Sequence, residues 1–472
     1  MNLDIRNKRE VFWDDYLIDT EKTTAHHRVM NPVKKDCCFC FDRGKEAELG
    51  ISYTCIVKDT AGYKMYYIPW RQFEYQMGRC YLAVIESQDG IRWTRPHLNL
   101  YDHPELTENN VVLDTLMDGV FVFYDENPDC PKEEKYKAVT LGCGEKENGE
   151  HDRVLWCFTS PDGYRFTQNY RMTDKGVFDS LNTVQWKDGR YSCYLRDYHD
   201  RNEEIGYLGV RDIRVMYSED FKTWTDPKQI TFDDGKDVPL YTNNVMVYDR
   251  APQMLVGFPV RYCERKEWTL NNDQIVSSGV KKQAMTDHEK RSGLAATDCI
   301  FMCSRDGERW HRYNEAFVTP GYEKEHNWVY GDCYLTYNFV DSGREVYYLY
   351  AHECHRSRGI GKPLARYEIR KDGFACMMAD SEEKILVTKP LVFTGKELHL
   401  NFTTSVCGYI YVDVLDEAGN PLSEKVSFEV YGDNIDRKIC FADGTDFSEF
   451  EAKPVRLRFR MQEAKLYSMW FE

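Results

Sequence analysis

One seven-residue phrase recurs four times and constrains the fold more than any other feature of the chain. It reads Ser87-Gln88-Asp89-Gly90-Ile91-Arg92-Trp93 and Ser160-Pro161-Asp162-Gly163-Tyr164-Arg165-Phe166. It returns as Ser218-Glu219-Asp220-Phe221-Lys222-Thr223-Trp224 and as Ser304-Arg305-Asp306-Gly307-Glu308-Arg309-Trp310. A degenerate fifth copy, Lys371-Asp372-Gly373-Phe374, lacks the Ser and displaces the aromatic. Successive aspartates stand 73, 58, 86 and 66 residues apart. Ser and Asp side chains bond backbone amides in tight turns, and Gly takes a positive φ there at no steric cost. The aromatic is then free to pack into the next structural unit. Self-similarity on this period marks a propeller or a solenoid, and the aspartates read as structural.

A hairpin signal precedes each phrase. The strand pairs are 53–58 with 63–68, 120–124 with 136–140, 183–186 with 191–195, 244–248 with 254–258, and 334–337 with 346–350. Their turns carry Asp59 to Gly62, Lys187-Asp188-Gly189 and Asp341-Ser342-Gly343, which are strong hairpin residues. Five hairpins with five phrases predict an all-β, five-bladed β-propeller over residues 1–384. The segment Glu10 to Asp19 is a strand that can close the last blade. An insertion in blade four, about 264–297, is polar and includes a helix-like run from Lys281 to Arg291. A lid, an oligomer contact and a plain surface loop are its three open readings. From 385 to 472 the phrase stops, and short alternating strands predict an antiparallel β-sandwich.

A formal net charge of −16 argues against a nucleic-acid partner. The absence of an apolar run of about twenty residues argues against a membrane-spanning helix. The first ten residues lack the apolar core of a signal peptide. Seventeen cysteines, scattered mostly within strand-like runs, read as reduced, and the expected compartment is cytoplasmic. Neither a metal nor a cofactor is expected, because Cys37-Cys38-Phe39-Cys40 lacks zinc spacing.

In an up-and-down blade the phrase turns occupy one end, so a site should use the other end. Starting strand one there are Glu46 and Glu48, Asn109 and Asn110, Asp179 and Asn182, Tyr241, Asn243 and Asn244, and Trp328 and Asp332. Leaving strand two are Arg71, Glu74, Arg196, Asp197, His199, Arg261, His352, Glu353, His355 and Arg356. Carboxylates, arginines, amides and aromatics of this kind suit an oligosaccharide and the cleavage of its acetal. Such cleavage needs one carboxylic acid and one carboxylate. The candidates are Asp179 as base or nucleophile, with Glu353 or Asp332 as acid and Glu48 as a further carboxylate. Arg71, Arg196, Asp197, Tyr241, Asn243, Arg261, Trp328 and His352 are the candidate sugar contacts. Histidines 352 and 355 point to opposite faces of an extended strand and read as structural rather than metal ligands.

The phrase resembles the Asp-box of sialidases and other sugar-cleaving propellers. The hairpins, the C-terminal sandwich and strings such as Phe12-Trp13-Asp14-Asp15-Tyr16-Leu17-Ile18 and Arg250-Ala251-Pro252-Gln253-Met254-Leu255 resemble glycoside hydrolase families 32 and 43 and their bacterial relatives. The resemblance implies a glycosidase. Those families take an Asp from blade one, an Asp from blade two and a Glu from blade three. This chain shows Glu46 or Glu48, asparagines and Asp179 at the corresponding places. The family's catalytic assignment therefore does not transfer. A glycoside phosphorylase and a non-catalytic carbohydrate-binding propeller are the alternatives.

Overall fold

The computed structural model describes residues 2–69, 79–102, 109–145, 151–200, 209–287 and 290–472. Strands carry nearly all of its regular structure, as the Tyr-, Val- and Phe-rich runs require. Two compact units emerge. One holds residues 32–247 and 255–368; the other holds 1–31, 248–254 and 369–472.

The first unit is the five-bladed propeller. Blade one contains Ile51–Asp59, Gly62–Pro69 and Arg79–Ser87. Blade two contains Tyr136–Glu145, His151–Ser160 and Thr167–Thr173. One long strand, Val111–Tyr124, joins them: its first half pairs with Arg79–Ser87 and its second half with Tyr136–Glu145. Blade three runs through Thr183–Lys187, Arg190–His199, Val210–Ser218 and Lys228–Gln229. Blade four uses Met246–Val247, Leu255–Gly257, Met302–Ser304 and Arg309–Arg312. Blade five runs through Val340–Asp341, Val346–His352 and Lys362–Arg370, and its outer strand is Val33–Phe41. The ring is thus closed by Val33–Phe41. The expected closing segment, Glu10 to Asp19, instead lends Glu10–Val11 to Arg456–Phe471 in the second unit.

The phrase turns form as their chemistry dictates. Ser87 Oγ accepts the Gly90 amide at 2.8 Å, and Asp89 Oδ1 accepts the amides of Ile91 and Arg92 at 2.8 and 2.9 Å. The aromatic packs backward onto the preceding blade: Phe166 meets Tyr66, Trp310 meets Tyr194, and Trp93 meets Tyr350 across the ring closure. Each of those tyrosines donates its hydroxyl to the phrase glycine's carbonyl, at 3.0, 2.9 and 2.6 Å. A Cβ at Gly163 would lie 2.4 Å from Tyr66 Oη, which explains the glycine. Blade three has Phe221 at this place with φ 64°, and its ring packs toward Phe123 and Lys137 of blade two.

The insertion forms three short helices, Leu270–Gln274, Ser278–Asp287 and Lys290–Leu294, between Val260–Glu264 and Ala295–Cys299. Lys281 is buried and donates to the carbonyls of Ala295 and Trp328, both at 3.1 Å. It ties the insertion to the start of blade five, which a free surface loop would not do.

The second unit is an antiparallel assembly built on two long strands, Leu398–Leu415 and Arg456–Phe471. Alternate residues Leu457, Phe459 and Met461 are buried with Leu400, Phe402, Ile410 and Val412, the period of a half-buried strand. Its sheet also takes in His26–Val29 and Ala375–Ala379, so this unit draws on residues placed before the expected boundary at 385. The degenerate phrase belongs here. Asp372 is fully buried and accepts from Tyr248 Oη, Arg250, Ser468 Oγ and Asn401 at 2.7 to 3.2 Å. Burial works against its charge, but the arginines outweigh it and hold the carboxyl down at about 2.

Candidate active site

Blade geometry decides which side chains meet at the end opposite the phrase turns. The strand shared by blades one and two changes partner between Leu116 and Met117, and its register with blade two shifts between Asp118 and Phe121. Gly119 has φ +61°, and a Cβ there would lie 2.2 Å from the Ser180 carbonyl oxygen. Glycine alone tolerates both conditions. The close approach sets Asp118 beside Asp179, the residue before Ser180.

These two aspartates see opposite surroundings. Asp179 forms an ion pair with Arg196, whose side chain is only 2% exposed. Burial works against the Arg196 charge, but Asp179 outweighs it and holds the guanidinium above its usual value. Asp118 has no such counter-ion within 4 Å among the described residues. Burial first, and then the field of Asp179, push its carboxyl up to about 7.

Tyrosines build the wall around them. The Asp179 carbonyl accepts from Tyr53 Oη at 3.3 Å and Tyr241 Oη at 3.5 Å. Tyr53 stacks on Tyr334 at 6.2 Å, and Tyr241 meets Tyr330 and Tyr334 at 5.8 and 5.9 Å. Arg196 lies 4.5 Å from the Tyr198 ring and 4.8 Å from the Tyr241 ring. Tyr53 holds φ 47° and Phe178 holds φ 61°, so the backbone is strained where it presents these groups.

The remaining expected residues are distributed differently. Asp332 is buried and accepts the Val329 amide at 2.9 Å; burial raises its carboxyl to about 7, with the amides opposing and Glu353 adding to the rise. Glu353 is paired with Lys34 of the ring-closing strand. Asp332, Glu353 and His352 border a cavity of about 90 Å³, well under the roughly 300–1,000 Å³ of ordinary ligand clefts. The electrostatic neighbours of Asp332 are Glu353 and Lys281, whereas those of Asp118 are Asp179, which raises it, and Arg153 and Arg196, which oppose the rise. Glu48 is exposed on the one-turn helix Lys45–Leu49, while its neighbour Glu46 is buried against Tyr67 Oη and Arg95.

Asp197 lies within the strand Arg190–His199, accepting the Tyr198 amide and pairing with Arg214 of the neighbouring strand at 3.3 Å. Asn243 is spent on the Leu181 and Tyr194 carbonyls and on Thr183, which ties blade three to blade four. Arg261 is neutralised by Asp298 through bonds of 2.7 and 2.6 Å. Trp328 has φ 61° and donates its indole N–H to Gly321. His352 is buried against His355, with their ring nitrogens 3.1 Å apart, and burial holds its imidazole down at about 4. Arg71 and Glu74 lie outside the described residues.

Residues His199, Asp200 and Asp237 bring ligand atoms within 4.8 Å of one another, a donor set that suits a divalent cation. Both His199 nitrogens already face carboxylates, Asp212 at 3.1 Å and Asp237 at 3.2 Å. We read the group as an ion-pair network.

Read from the sequence, blade two begins at Val120 with its mouth at Asn109 and Asn110, so Asp118 is not among the candidates. Residues 111–116 are the outer strand of blade one, so the mouth of blade two falls at Asp118. The Asp-Gly pair directly before a β-rich run was the available signal.

No protein-family model matches the sequence, and no curated protein matches it. Solved structures similar in fold include an N-acetylgalactosamine deacetylase from F. plautii in complex with blood group B trisaccharide. It is 12% identical over 93% of this chain and 94% of that one, with a TM-score of 0.41. An α-L-arabinofuranosidase from Fusarium graminearum is 11% identical over 72% and 98%, with a TM-score of 0.41. A glycoside hydrolase family 43 arabinoxylan arabinofuranohydrolase from Bacillus subtilis is 10% identical over 90% and 79%, with a TM-score of 0.32. The likeness is one of fold and carries no site, substrate or activity to this chain. Among the described residues, no helix is long and apolar enough to cross a membrane.

Proposed function

We propose that this protein is a glycoside hydrolase that cleaves a short oligosaccharide with Asp118 and Asp179 as its paired carboxylates. The observation that carries the reading is the pair itself. Neighbouring aspartates from adjacent blades face one mouth, one beside a buried arginine and the other with its carboxyl raised to about 7. A raised acid beside an arginine-paired aspartate separates the roles of acid and base. Asp118 donates its proton to the departing glycosidic oxygen. Asp179, as the carboxylate, attacks the anomeric carbon or deprotonates the attacking water. The rings of Tyr241, Tyr330 and Tyr334 offer apolar faces to a sugar. In this reading the acid comes from blade two, in place of the blade-five Asp332 or Glu353 expected from sequence.

The test is a pair of variants assayed on nitrophenyl glycosides and on oligosaccharides. Asp179→Asn should lower kcat/KM about 10⁴-fold on every substrate. Asp118→Asn should lower it about 10²- to 10³-fold where the leaving group is a sugar. It should cost little for dinitrophenyl glycosides, whose leaving group departs unprotonated. Full activity in both variants would sink the assignment. Sugar binding without product from the wild-type protein would mark a carbohydrate-binding propeller instead.

A further inference from the structure

Most arginines around the mouth have their charge answered. Arg196 is answered by Asp179, Arg261 by Asp298, and Arg214 by Asp197 and Asp212. Arg211 differs. The residue is 9% exposed, and its guanidinium lies 3.9 Å over the Tyr262 ring, with the Tyr198 and Tyr241 rings at 5.6 and 5.8 Å. Its Nε is buried with no hydrogen-bond partner, and among the described residues it makes no ion pair.

Tyrosine faces attract a cation, but they offer nothing to accept its in-plane N–H donors. A buried charge without an acceptor is costly, and an anion that fits beside it removes the cost. Tyr241, one of the rings it faces, also bonds the Asp179 carbonyl, so one side chain links Arg211 to the Asp179 backbone. The chain's net charge of −16 repels anions at long range. A counter-ion at Arg211 must therefore be selected by local geometry.

We propose that the mouth takes a carbohydrate bearing an anionic group, a carboxylate or a sulfate ester, which docks on the Arg211 guanidinium between the Tyr241 and Tyr262 rings. The sugar part rests on the glycosidase reading; the anion part rests on Arg211. A planar guanidinium suits both groups through paired N–H donors.

Calorimetric titration of the whole protein with D-galacturonate and D-glucuronate, each beside its neutral methyl ester, and with inorganic sulfate tests this. At least one uronate should bind about tenfold or more tightly than its ester, with sulfate competing. Arg211→Gln should abolish that preference and Arg211→Lys should keep part of it. Esters that bind as well as acids, or a preference that survives in Arg211→Gln, would overturn the inference. Should Arg211→Gln fail to fold, the wild-type comparison of acid with ester decides alone. Sugar release without acid preference would remove this inference and leave the glycosidase reading standing. Acid preference without sugar release would do the reverse.

Discussion

The two ends of the propeller blades treat the same side chain in opposite ways. At the phrase turns, Asp89 and Asp220 each accept two backbone amides, and those amides hold both carboxyls below the ordinary value. At the mouth, Asp118 faces burial and a second aspartate, and its carboxyl rises. Asp372 in the second unit shows that burial alone does not decide the outcome. It is enclosed completely, yet two arginines keep it charged. Depth and donors compete to set which form is stable: two arginines win at Asp372, whereas burial wins at Asp118 and Asp332 against their backbone amides.

The strongest way to break this contrast is to remove the charge that is best supplied. Asp372→Asn should destabilise the protein by roughly 3–5 kcal/mol in denaturant titration, because Arg9 and Arg250 lose the carboxylate that answers them. Its folded pKa of about 2 lies below the ordinary 3.8, so its contribution is complete above 3.8 and is lost as pH falls through about 2. Acid unfolding of the wild type should accordingly steepen in that window and flatten in the variant. An unchanged acid limb would refute the role given to Asp372.

The mouth gives the opposite sign. Asp118 is raised, so its protonated form favours the folded state at low pH and this gain is lost as pH rises through about 7. As general acid it should impose a fall in kcat/KM above about pH 7, approaching tenfold per pH unit, as expected for one essential proton. Asp118→Asn should erase that limb in whatever activity remains. A limb that persists in the variant assigns the proton elsewhere, with Asp332 the next group to test.

The smallest effect should come from a single phrase. Asp220→Ala removes the acceptor of two backbone amides at one exposed turn and should cost about 1 kcal/mol by thermal melting, with kcat/KM unchanged. A loss of activity there would mean that the two ends are coupled.

The repeated phrase made the propeller legible because its turn chemistry is local: Ser, Asp and Gly act within seven residues. The site was legible only where it also obeyed local counting. Asp179 and Arg196 could be placed near the ends of their strands because blade three has short, clean strands. Asp118 was not legible because Val111–Tyr124 serves two blades, and Leu116-Met117, where its partner changes, carries no turn residue. Arg211 starts strand three of its blade, away from the ends of strands one and two that supplied the candidates. The closing strand was misplaced for a similar reason. Glu10 to Asp19 alternates well, but partner choice between two sheets is a tertiary property that the strand's own pattern does not contain.

The seam of the ring has a consequence for synthesis. Its two edges, Val33–Phe41 and Lys362–Arg370, are separated by most of the propeller's sequence. At about 5–20 residues per second, the first edge waits roughly 20–60 s on the ribosome for its partner. An unpaired strand held open that long invites stray pairing with other nascent chains. This one begins Val33-Lys34-Lys35-Asp36, and all four residues stay exposed even after closure. Charges on a waiting edge discourage such pairing, and Lys34, Lys35 and Asp36 supply them on this strand.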